Sequence, residues 1–366
     1  MFVSCPDAFV PLLLRELEAL GVGEVKIRFC GAFIPQTMEN VYRVNYCSRI
    51  ATRVLWEIAS FRCQDRQDLY NEARKIDWSA YLKLEQTFAI DANVSHPTLK
   101  NSLFAAQVLK DAICDHFKEA CGARPSVDVA NPDVQFNLFI SAQNASISFD
   151  TSGQPLYKRG YRKESPVAPL QESIAAALLA QIAYSEREVL CDPFCGSGTI
   201  LIEAAMIASH TPAGYYRQRW GFFQHPEFAK EKWLAFKQAA DQRKKMLPGV
   251  ILLGADSDPQ AVKLSRAHLK ATGFQESVAI ECSDVQAYRP LSPTLLLSNP
   301  PYGKRLTADH TTYAALGRLI KLYRSSLKKA QILTADPAPA RATSLRPEQR
   351  LLFRNGGLDV SLFELR

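Results

Sequence analysis

The residues best suited to chemistry are Asn299, Pro300, Pro301 and Tyr302, which follow the apolar run 295–297. Such a run is typical of a buried parallel strand, and the two prolines exclude a helix and hold the chain extended. The Asn299 side chain and the Pro300 carbonyl supply acceptor oxygens, and Tyr302 supplies a flat aromatic face. This set can hold both hydrogens of an exocyclic NH2 group on a stacked planar ring, so that the nitrogen lone pair faces an electrophile. The alternative interpretation is a rigid proline turn after a strand.

A second set, residues 192–199, stands between a predicted strand and an apolar helix. Strand, glycine turn and helix form the first unit of a doubly wound sheet, which binds its ligand at the carboxyl end of the strand. Gly196 and Gly198 allow the backbone to approach that ligand closely. Leu201 stands where a dinucleotide fingerprint needs a third glycine, and no lysine follows Gly198 as a Walker loop requires. Asp192 favours a cationic nucleoside without phosphate, and S-adenosylmethionine meets that description.

Two further acids follow predicted strands over 250–254 and 278–282. Asp256 is placed to accept hydrogen bonds from both ribose hydroxyls, and Asp284 to accept one from the adenine amine. A lone aspartate after a strand is usually a cap or a turn residue. Here three acids end successive β–α units and Asn299 ends the fourth, which favours a single binding site. The predicted cofactor-binding set therefore includes Asp192, Pro193, Phe194, Cys195, Gly196, Gly198, Thr199, Asp256, Ser257, Asp284, Val285 and Asn299.

These positions require a mostly parallel sheet with helices on both faces. A helix over 313–327 leads to a strand over 331–334, and a terminal hairpin over 351–365 closes the sheet. An insertion over 209–248 contains aromatic residues next to arginines. It is either a base-stacking wall over the site or the insertion's own small core.

The boundary over 151–169 contains four cations around a tyrosine, in the segment 158–163. A charge run is usually a solvated face. Basic side chains interleaved with an aromatic ring also suit phosphates and an unstacked base, and the position at the entrance to the second half favours this interpretation. The predicted RNA-binding residues are Lys158, Arg159, Tyr161, Arg162, Lys163, Arg217, Arg219, Trp220, Lys304 and Arg305.

The first half of the chain contains α/β patterns without an acid, base or metal cluster. The predicted elements are helices over 6–20, 39–58 and 103–117 and strands over 25–29, 88–94, 134–140 and 145–149. A binding or scaffolding role and a purely structural role both remain open on these residues.

The composition describes a folded chain of 366 residues, 47% of them apolar, with a net charge of +7 and a pI near 8.9. That length allows two or three domains, and the charge is compatible with a polyanionic partner. Nine cysteines without a Cys-x-x-Cys pair indicate neither a disulfide framework nor a metal site. No apolar run approaches the ~18 residues of a membrane span, and the start is unlike a signal peptide, so we expect a cytoplasmic protein.

The chain resembles the bacterial 23S ribosomal RNA (guanine-N2)-methyltransferases that carry a THUMP domain. The resemblance covers nearly the whole chain and rests on residues 158–162, 168–172, 192–199, 219–222 and 299–303. It implies an S-adenosylmethionine-dependent enzyme that forms N2-methylguanosine in large-subunit ribosomal RNA, and it adds Pro169 to the cofactor-binding set. One departure is Gln171, where the family commonly has lysine or arginine.

The resemblance also implies the architecture. We expect an α/β protein with a ferredoxin-like piece over 1–46, a THUMP RNA-binding domain over 47–155 and one Rossmann-type class I methyltransferase domain over 156–366. The motif is less specific for guanine, because adenine-N6, cytosine-N4 and glutamine methyltransferases share it. Two alternatives therefore stay open: methylation of transfer RNA guanine or of an adenine amine, and a non-catalytic RNA-binding assembly factor.

Overall fold

The computed structural model of the protein describes residues 1–99, 101–162, 170–301, 310–335, 337–355 and 357–366. These residues form two sheets, one in each half of the chain. Within the described ranges, no helix has both the length and the apolar character needed to cross a membrane.

One eight-stranded sheet spans the first half of the chain. Its strands are β1 Phe2–Ser4, β2 Lys26–Arg28, β3 Gly31–Phe33, β4 Arg53–Arg62, β5 Thr87–Ser95, β6 Ser126–Val127, β7 Val134–Ser141 and β8 Asn144–Asp150. The accompanying helices are α1 Val10–Leu20, α2 Met38–Cys47, α3 Arg66–Arg74 and α4 Ser102–Cys121, with 3-10 turns at Asp7–Phe9 and Trp78–Ala80. The strand order is β2-β3-β1-β4-β8-β7-β5-β6, so the two portions that the sequence predicts as ferredoxin-like and THUMP share one continuous sheet.

The predicted helix over 39–58 is wrong in its second half. α2 ends at Cys47, and the chain continues as the strand β4. In β4, Leu55 lies opposite Phe2 on one side and Asp150 on the other. A strand with neighbours on both sides satisfies its backbone donors and acceptors through distant partners, and this outweighs local helix propensity.

A seven-stranded sheet forms the second half. Its strands are β9 Leu190–Asp192, β10 Leu252–Asp256, β11 Val278–Cys282, β12 Leu295–Ser298, β13 Lys329–Thr334, β14 Pro347–Asn355 and β15 Leu358–Leu365. The helices are α5 Glu172–Gln181, α6 Thr199–Ala208, α7 Lys230–Asp241, α8 Pro259–Thr272, α9 His310–Leu322 and α10 Pro337–Ala342, with a 3-10 turn at Gly221–Gln224. In the order β11-β10-β9-β12-β13-β15-β14, the first five strands are parallel and the last two form an antiparallel hairpin. This is the doubly wound sheet that the sequence predicts.

Side-chain caps define where several helices begin. Thr37, Asp65, Asn101 and Asp258 precede α2, α3, α4 and α8, and each side chain accepts a hydrogen bond from a backbone N–H of the first turn. Each such cap stabilises its helix by about 1 kcal/mol. These four helix starts are therefore encoded locally.

The aromatic residues of the insertion lie in a core that they share with α2. The Phe222 ring lies 5.3 Å from that of Tyr42, and the Trp233 ring lies 5.3 Å from that of Tyr46. Trp220 stacks on Phe222 at 5.5 Å, and all three insertion rings are buried. Of the two interpretations left open for this segment, the structure supports a core, and it extends that core to the first half of the chain.

Candidate active site

The carboxyl ends of neighbouring parallel strands bring four predicted residues to one edge of the sheet. β9 lies between β10 and β12, so Asp192 at its end has Asp256 on one side and Asn299 on the other. Asp192 pairs with Gly254, two residues before Asp256. Asp284 follows β11, one strand further out. The edge therefore carries an ordered row of three carboxylates and one amide, as expected of the ligand edge of such a sheet.

In the glycine loop after β9, Gly198 is the more restricted of the two glycines. Gly198 has φ of 81°, and a Cβ there would lie 2.5 Å from the Ser265 hydroxyl oxygen. Gly196 has φ of 53°, but a Cβ there would meet no atom within 4 Å. Open space thus lies beside Gly196, where a ligand can approach the backbone.

Asp256 is a fixed carboxylate beside this loop. One oxygen accepts a hydrogen bond from the Gly196 N–H at 2.9 Å, and the other accepts one from the Asp258 N–H at 3.0 Å. Each carboxylate oxygen has a further lone pair, so Asp256 can also accept from ribose hydroxyls. Asp284 is exposed and accepts from the Gln286 N–H at 2.8 Å, as a turn residue does. Its contact with adenine stays a prediction.

Asp192 is a buried carboxyl group with only 1% of its surface exposed. Its Oδ1 accepts hydrogen bonds from the Ser298 hydroxyl at 2.5 Å and from the Phe194 N–H at 3.2 Å. Burial, with a smaller contribution from the nearby Asp256, raises the pKa of Asp192 to about 7. In the described ranges no cationic side chain pairs with it. A buried acid of this kind fits a cationic ligand, because a positive charge would stabilise its ionised form.

Asn299 offers a hydrogen-bond acceptor that the rest of the site leaves open. Its Oδ1 is buried and has no hydrogen-bond partner among the described residues. The following turn is held by Tyr313 of α9, whose hydroxyl donates to the Pro301 carbonyl at 3.3 Å. A buried acceptor without a donor is unfavourable by about 1–3 kcal/mol, so Asn299 is prepared for an incoming N–H group.

Some predicted residues lie outside the described ranges: Lys163, Pro169, Tyr302, Lys304 and Arg305. Their assigned roles stay predictions. Among the residues that the structure does describe, no group of three or more His, Cys, Asp or Glu side chains is arranged to hold a metal ion.

The second half of the chain matches a known protein family. Residues 159–360, more than half of the chain, match the family described as "RMKL-like, methyltransferase domain". The chain belongs to the RMKL-like methyltransferase family. Residues 63–150 match the THUMP domain, and residues 1–55 match the RlmL ferredoxin-like domain. The predicted fold class and the resemblance stated above are both confirmed by these matches.

Curated relatives of this RMKL-like chain carry the name ribosomal RNA large subunit methyltransferase K/L. The relative from Syntrophotalea carbinolica is 35% identical over 377 aligned residues, and that from a Marinomonas species is 31% identical over 373. Each alignment covers 99% of this chain and 52% of the relative. The chain thus spans about half the length of the curated relatives it matches.

Solved structures share the fold of this family member over its full length. SMU.472 in complex with SAH superposes with a TM-score of 0.87 at 24% identity, covering 99% of this chain and 96% of that one. TrmN from Thermus thermophilus superposes with a TM-score of 0.69 at 20% identity, covering 100% of this chain and 98% of that one. At these identities the likeness concerns the fold.

The structure contradicts the RNA-binding prediction for Arg159 and Tyr161, which are 1% and 3% exposed. The Arg159 guanidinium contacts both carboxylate oxygens of Glu203 at 3.4 and 3.5 Å. It also donates to the backbone carbonyls of Leu156 at 2.9 Å and Arg49 at 2.5 Å. The Arg159 side chain faces the interior because acceptors from distant parts of the chain, Glu203 and the Arg49 carbonyl, satisfy its guanidinium there.

Arg217 and Trp220 are a second correction, since both side chains are buried. Arg217 donates to the backbone carbonyls of Ser152, Gln154 and Arg219 at 2.6 to 2.9 Å. Its guanidinium also lies 4.6 Å from the centre of the Trp220 ring, a cation–π contact. The pair therefore packs the insertion against the boundary segment and does not present a surface to RNA.

Two predicted cations of this region do reach solvent. Lys158 and Arg219 are exposed, and their contact with RNA stays a prediction. Arg162 instead points inward, with 10% of its side chain exposed, and contacts Thr199 and Glu172. Residue type alone could not separate these cases, because all are cations in polar stretches.

Sequence reasoning missed three residues that border the site. Ser298 binds Asp192, Tyr313 binds the Pro301 carbonyl, and Glu172 is a buried acid beside Arg162. The one available signal was Ser298, a hydroxyl at the end of an otherwise apolar strand. Tyr313 lies on a predicted helix and Glu172 begins α5, and such residues are ordinary on helices.

Proposed function

We propose that this protein methylates the exocyclic N2 amine of guanosine in large-subunit ribosomal RNA, with S-adenosylmethionine as the methyl donor. The observation that carries the proposal is the buried Oδ1 of Asn299, an acceptor without a partner in the described ranges, one strand away from Asp192. The name of the curated relatives supports ribosomal RNA as the substrate.

The row of acids would hold the cofactor. S-adenosylmethionine supplies an electrophilic methyl group on a sulfonium. Asp192, buried and without a cationic partner among the residues described, suits the positively charged part. Asp256 suits the ribose hydroxyls, because backbone N–H groups already fix its carboxylate. Asp284, exposed beyond β11, suits the adenine amine.

Asn299 and the Pro300 carbonyl would orient the target amine. Each accepts one hydrogen of the NH2 group, which favours a pyramidal nitrogen with its lone pair aimed at the methyl group. Tyr302, which lies outside the described ranges, is assigned the stacking role by its place in the motif. The proton leaves after methyl transfer, so the arrangement needs no strong base. Positioning supplies most of the acceleration.

The guanosine must leave its stack to enter this site, which costs a few kcal/mol. The first half of the chain, with proposed domain boundaries near residues 46 and 155, would bind the RNA, and that binding would offset the cost. The exposed cations Lys158 and Arg219 are suited to phosphate contacts at the boundary. A cytoplasmic location, as the composition predicts, belongs to the same proposal.

The test is transfer of labelled methyl groups from S-adenosylmethionine to separate pools of protein-free large-subunit ribosomal RNA and transfer RNA, followed by nucleoside analysis. We expect label in N2-methylguanosine from the ribosomal pool. Label in transfer RNA or in methyladenosine would support the assigned catalytic site but contradict the proposed substrate. Absence of S-adenosylmethionine binding in calorimetry would instead favour the non-catalytic assembly factor.

A further inference from the structure

Arg162 joins three segments of the chain at the end of the glycine loop. Its Nη2 donates to the Thr199 hydroxyl and to the Leu170 carbonyl, the latter at 3.0 Å. Its Nε lies 3.3 Å from a carboxylate oxygen of Glu172. Thr199 is the first residue of α6, and Glu172 is the first residue of α5. One guanidinium therefore connects the boundary segment to the first residues of two helices.

This contact lies in the interior of the protein. The side chains of Arg162 and Glu172 are 10% and 6% exposed. Burial raises the pKa of Glu172 to about 7, against the effect of the Arg162 charge. A buried pair of this kind is held only where the geometry is favourable, and removal of one partner leaves an uncompensated group. Arg162 is therefore unavailable to RNA phosphates.

Thr199 lies at the end of the glycine loop, so its position is linked to that of the loop. Thr199 directly follows Gly198, whose backbone packs against Ser265 of α8, and the Gly196 N–H binds Asp256 at the end of β10. The loop thus contacts both the end of β10 and the helix α8. Arg162 adds a third contact, from the boundary segment outside the sheet.

A second arginine extends the same connection to the first half of the chain. Arg159 contacts Glu203, which lies one helical turn after Thr199 on the same face of α6. Arg159 also donates to the Arg49 carbonyl, which belongs to the first half. The boundary segment therefore runs along one face of α6 and ties the helix that follows the cofactor loop to the RNA-binding half.

We propose that Arg162 is a positioning residue for the cofactor: by holding Thr199, the Leu170 carbonyl and Glu172 together, it sets the glycine loop in its binding position. The inference rests on the proposed use of S-adenosylmethionine. It reassigns a cation that the sequence predicts as an RNA contact. In this assignment Arg162 acts on the cofactor through its contact with Thr199.

The experiment measures S-adenosylmethionine affinity by calorimetry for the wild type and for Arg162→Gln, Thr199→Val, Thr199→Ser and the double variant Arg162→Gln/Thr199→Val. We expect Arg162→Gln and Thr199→Val each to weaken binding about tenfold, the loss that one charge-assisted hydrogen bond corresponds to. Thr199→Ser keeps the hydroxyl that Arg162 contacts, so it should bind S-adenosylmethionine more tightly than Thr199→Val does. The double variant should bind S-adenosylmethionine no more weakly than the single variant with the lower affinity, because both changes remove the same contact.

Two controls keep the result interpretable. Arg187→Gln removes an exposed arginine that forms no ion pair within the described ranges, and it should leave affinity unchanged. If Arg162→Gln does not fold, Thr199→Val still tests the contact, because it leaves no buried charge unpaired. The KM for RNA of Arg162→Gln, measured at saturating S-adenosylmethionine, should equal that of the wild type.

Three results would overturn the inference. Unchanged S-adenosylmethionine affinity in both single variants would show that the loop does not need this contact. Additive losses in the double variant would show that Arg162 does not act through Thr199. A raised KM for RNA with unchanged cofactor affinity would restore Arg162 as an RNA contact. If the wild type itself binds no S-adenosylmethionine, it is the proposed function that fails.

Discussion

Replacement of Asp192 by asparagine should abolish the pH dependence of S-adenosylmethionine binding. In the free protein, burial raises the pKa of Asp192 to about 7. A bound cation stabilises the carboxylate and lowers that pKa, so binding releases a proton below pH 7. Affinity should therefore rise about tenfold per pH unit well below pH 7 and level off near pH 7, about fifteenfold in all between pH 5.5 and pH 7.

The same group sets the sign of a stability change. A carboxyl whose pKa is higher in the folded protein than the ordinary 3.8 binds its proton more tightly when folded. The contribution of Asp192 to the free energy of unfolding therefore falls as the pH rises from about 4 to about 7, and this contribution is constant outside that window. At about 1.4 kcal/mol per pKa unit, roughly 3 kcal/mol of this loss falls between pH 5 and pH 8. Asp192→Asn should lack that loss and be the more stable protein at pH 8.

Asparagine is a suitable replacement because both hydrogen bonds to Asp192, from Ser298 and Phe194, go to Oδ1. An amide oxygen can accept both. The assays are urea unfolding at pH 5 and pH 8, and calorimetry of S-adenosylmethionine binding at several pH values below 8, where the ligand amine stays protonated. Glu172→Gln is the control, since the pKa of Glu172 is also raised to about 7.

Two results would refute this reasoning. One is wild-type affinity that does not change between pH 5.5 and pH 7. The other is an Asp192→Asn variant that keeps the wild-type pH dependence while Glu172→Gln loses it, because the titrating group would then be Glu172.

Three further predictions concern the same edge of the sheet. Asn299→Ala should lower kcat at least about a hundredfold while cofactor affinity stays near that of the wild type, because it removes only a contact to the target amine; equal loss of both would contradict its assignment. Gly198→Ala should lower the free energy of unfolding in urea by about 1–3 kcal/mol, more than Gly196→Ala, because only at Gly198 does a Cβ meet another atom; equal losses would exclude the steric cause. Tyr313→Phe should lower kcat about tenfold at unchanged cofactor affinity, since it frees the Pro301 carbonyl; steady-state kinetics with unaltered kcat would show that the turn holds without it.

The placement of the acids and of Asn299 follows from short stretches of sequence. Each belongs to a strand, a turn and a helix that are contiguous in the chain, and parallel strands carry their carboxyl ends to the same edge. The apolar strand, the glycines and the acid all lie within a few residues of one another. The sequence therefore predicts which side chains stand at the edge, before any contact between distant residues is known.

The helix predicted over 39–58 shows where local pattern was insufficient. The stretch Arg53–Arg62 pairs with β1 and β8, which lie far away in the chain. Neither partner is visible from the residues of the stretch itself. Long-range backbone hydrogen bonds on both sides decided its structure.

Tertiary structure alone decided whether each cationic side chain points into the protein or toward solvent. Arg159 and Arg217 are buried because Glu203 and backbone carbonyls from other segments satisfy them, whereas Lys158 and Arg219 meet no such acceptor among the described residues and stay exposed. Sequence by itself determined the fold class and the residues that follow the strands, because those depend on neighbours in the chain. Which arginines face solvent and which hold the protein together depends on acceptors that only folding brings within reach.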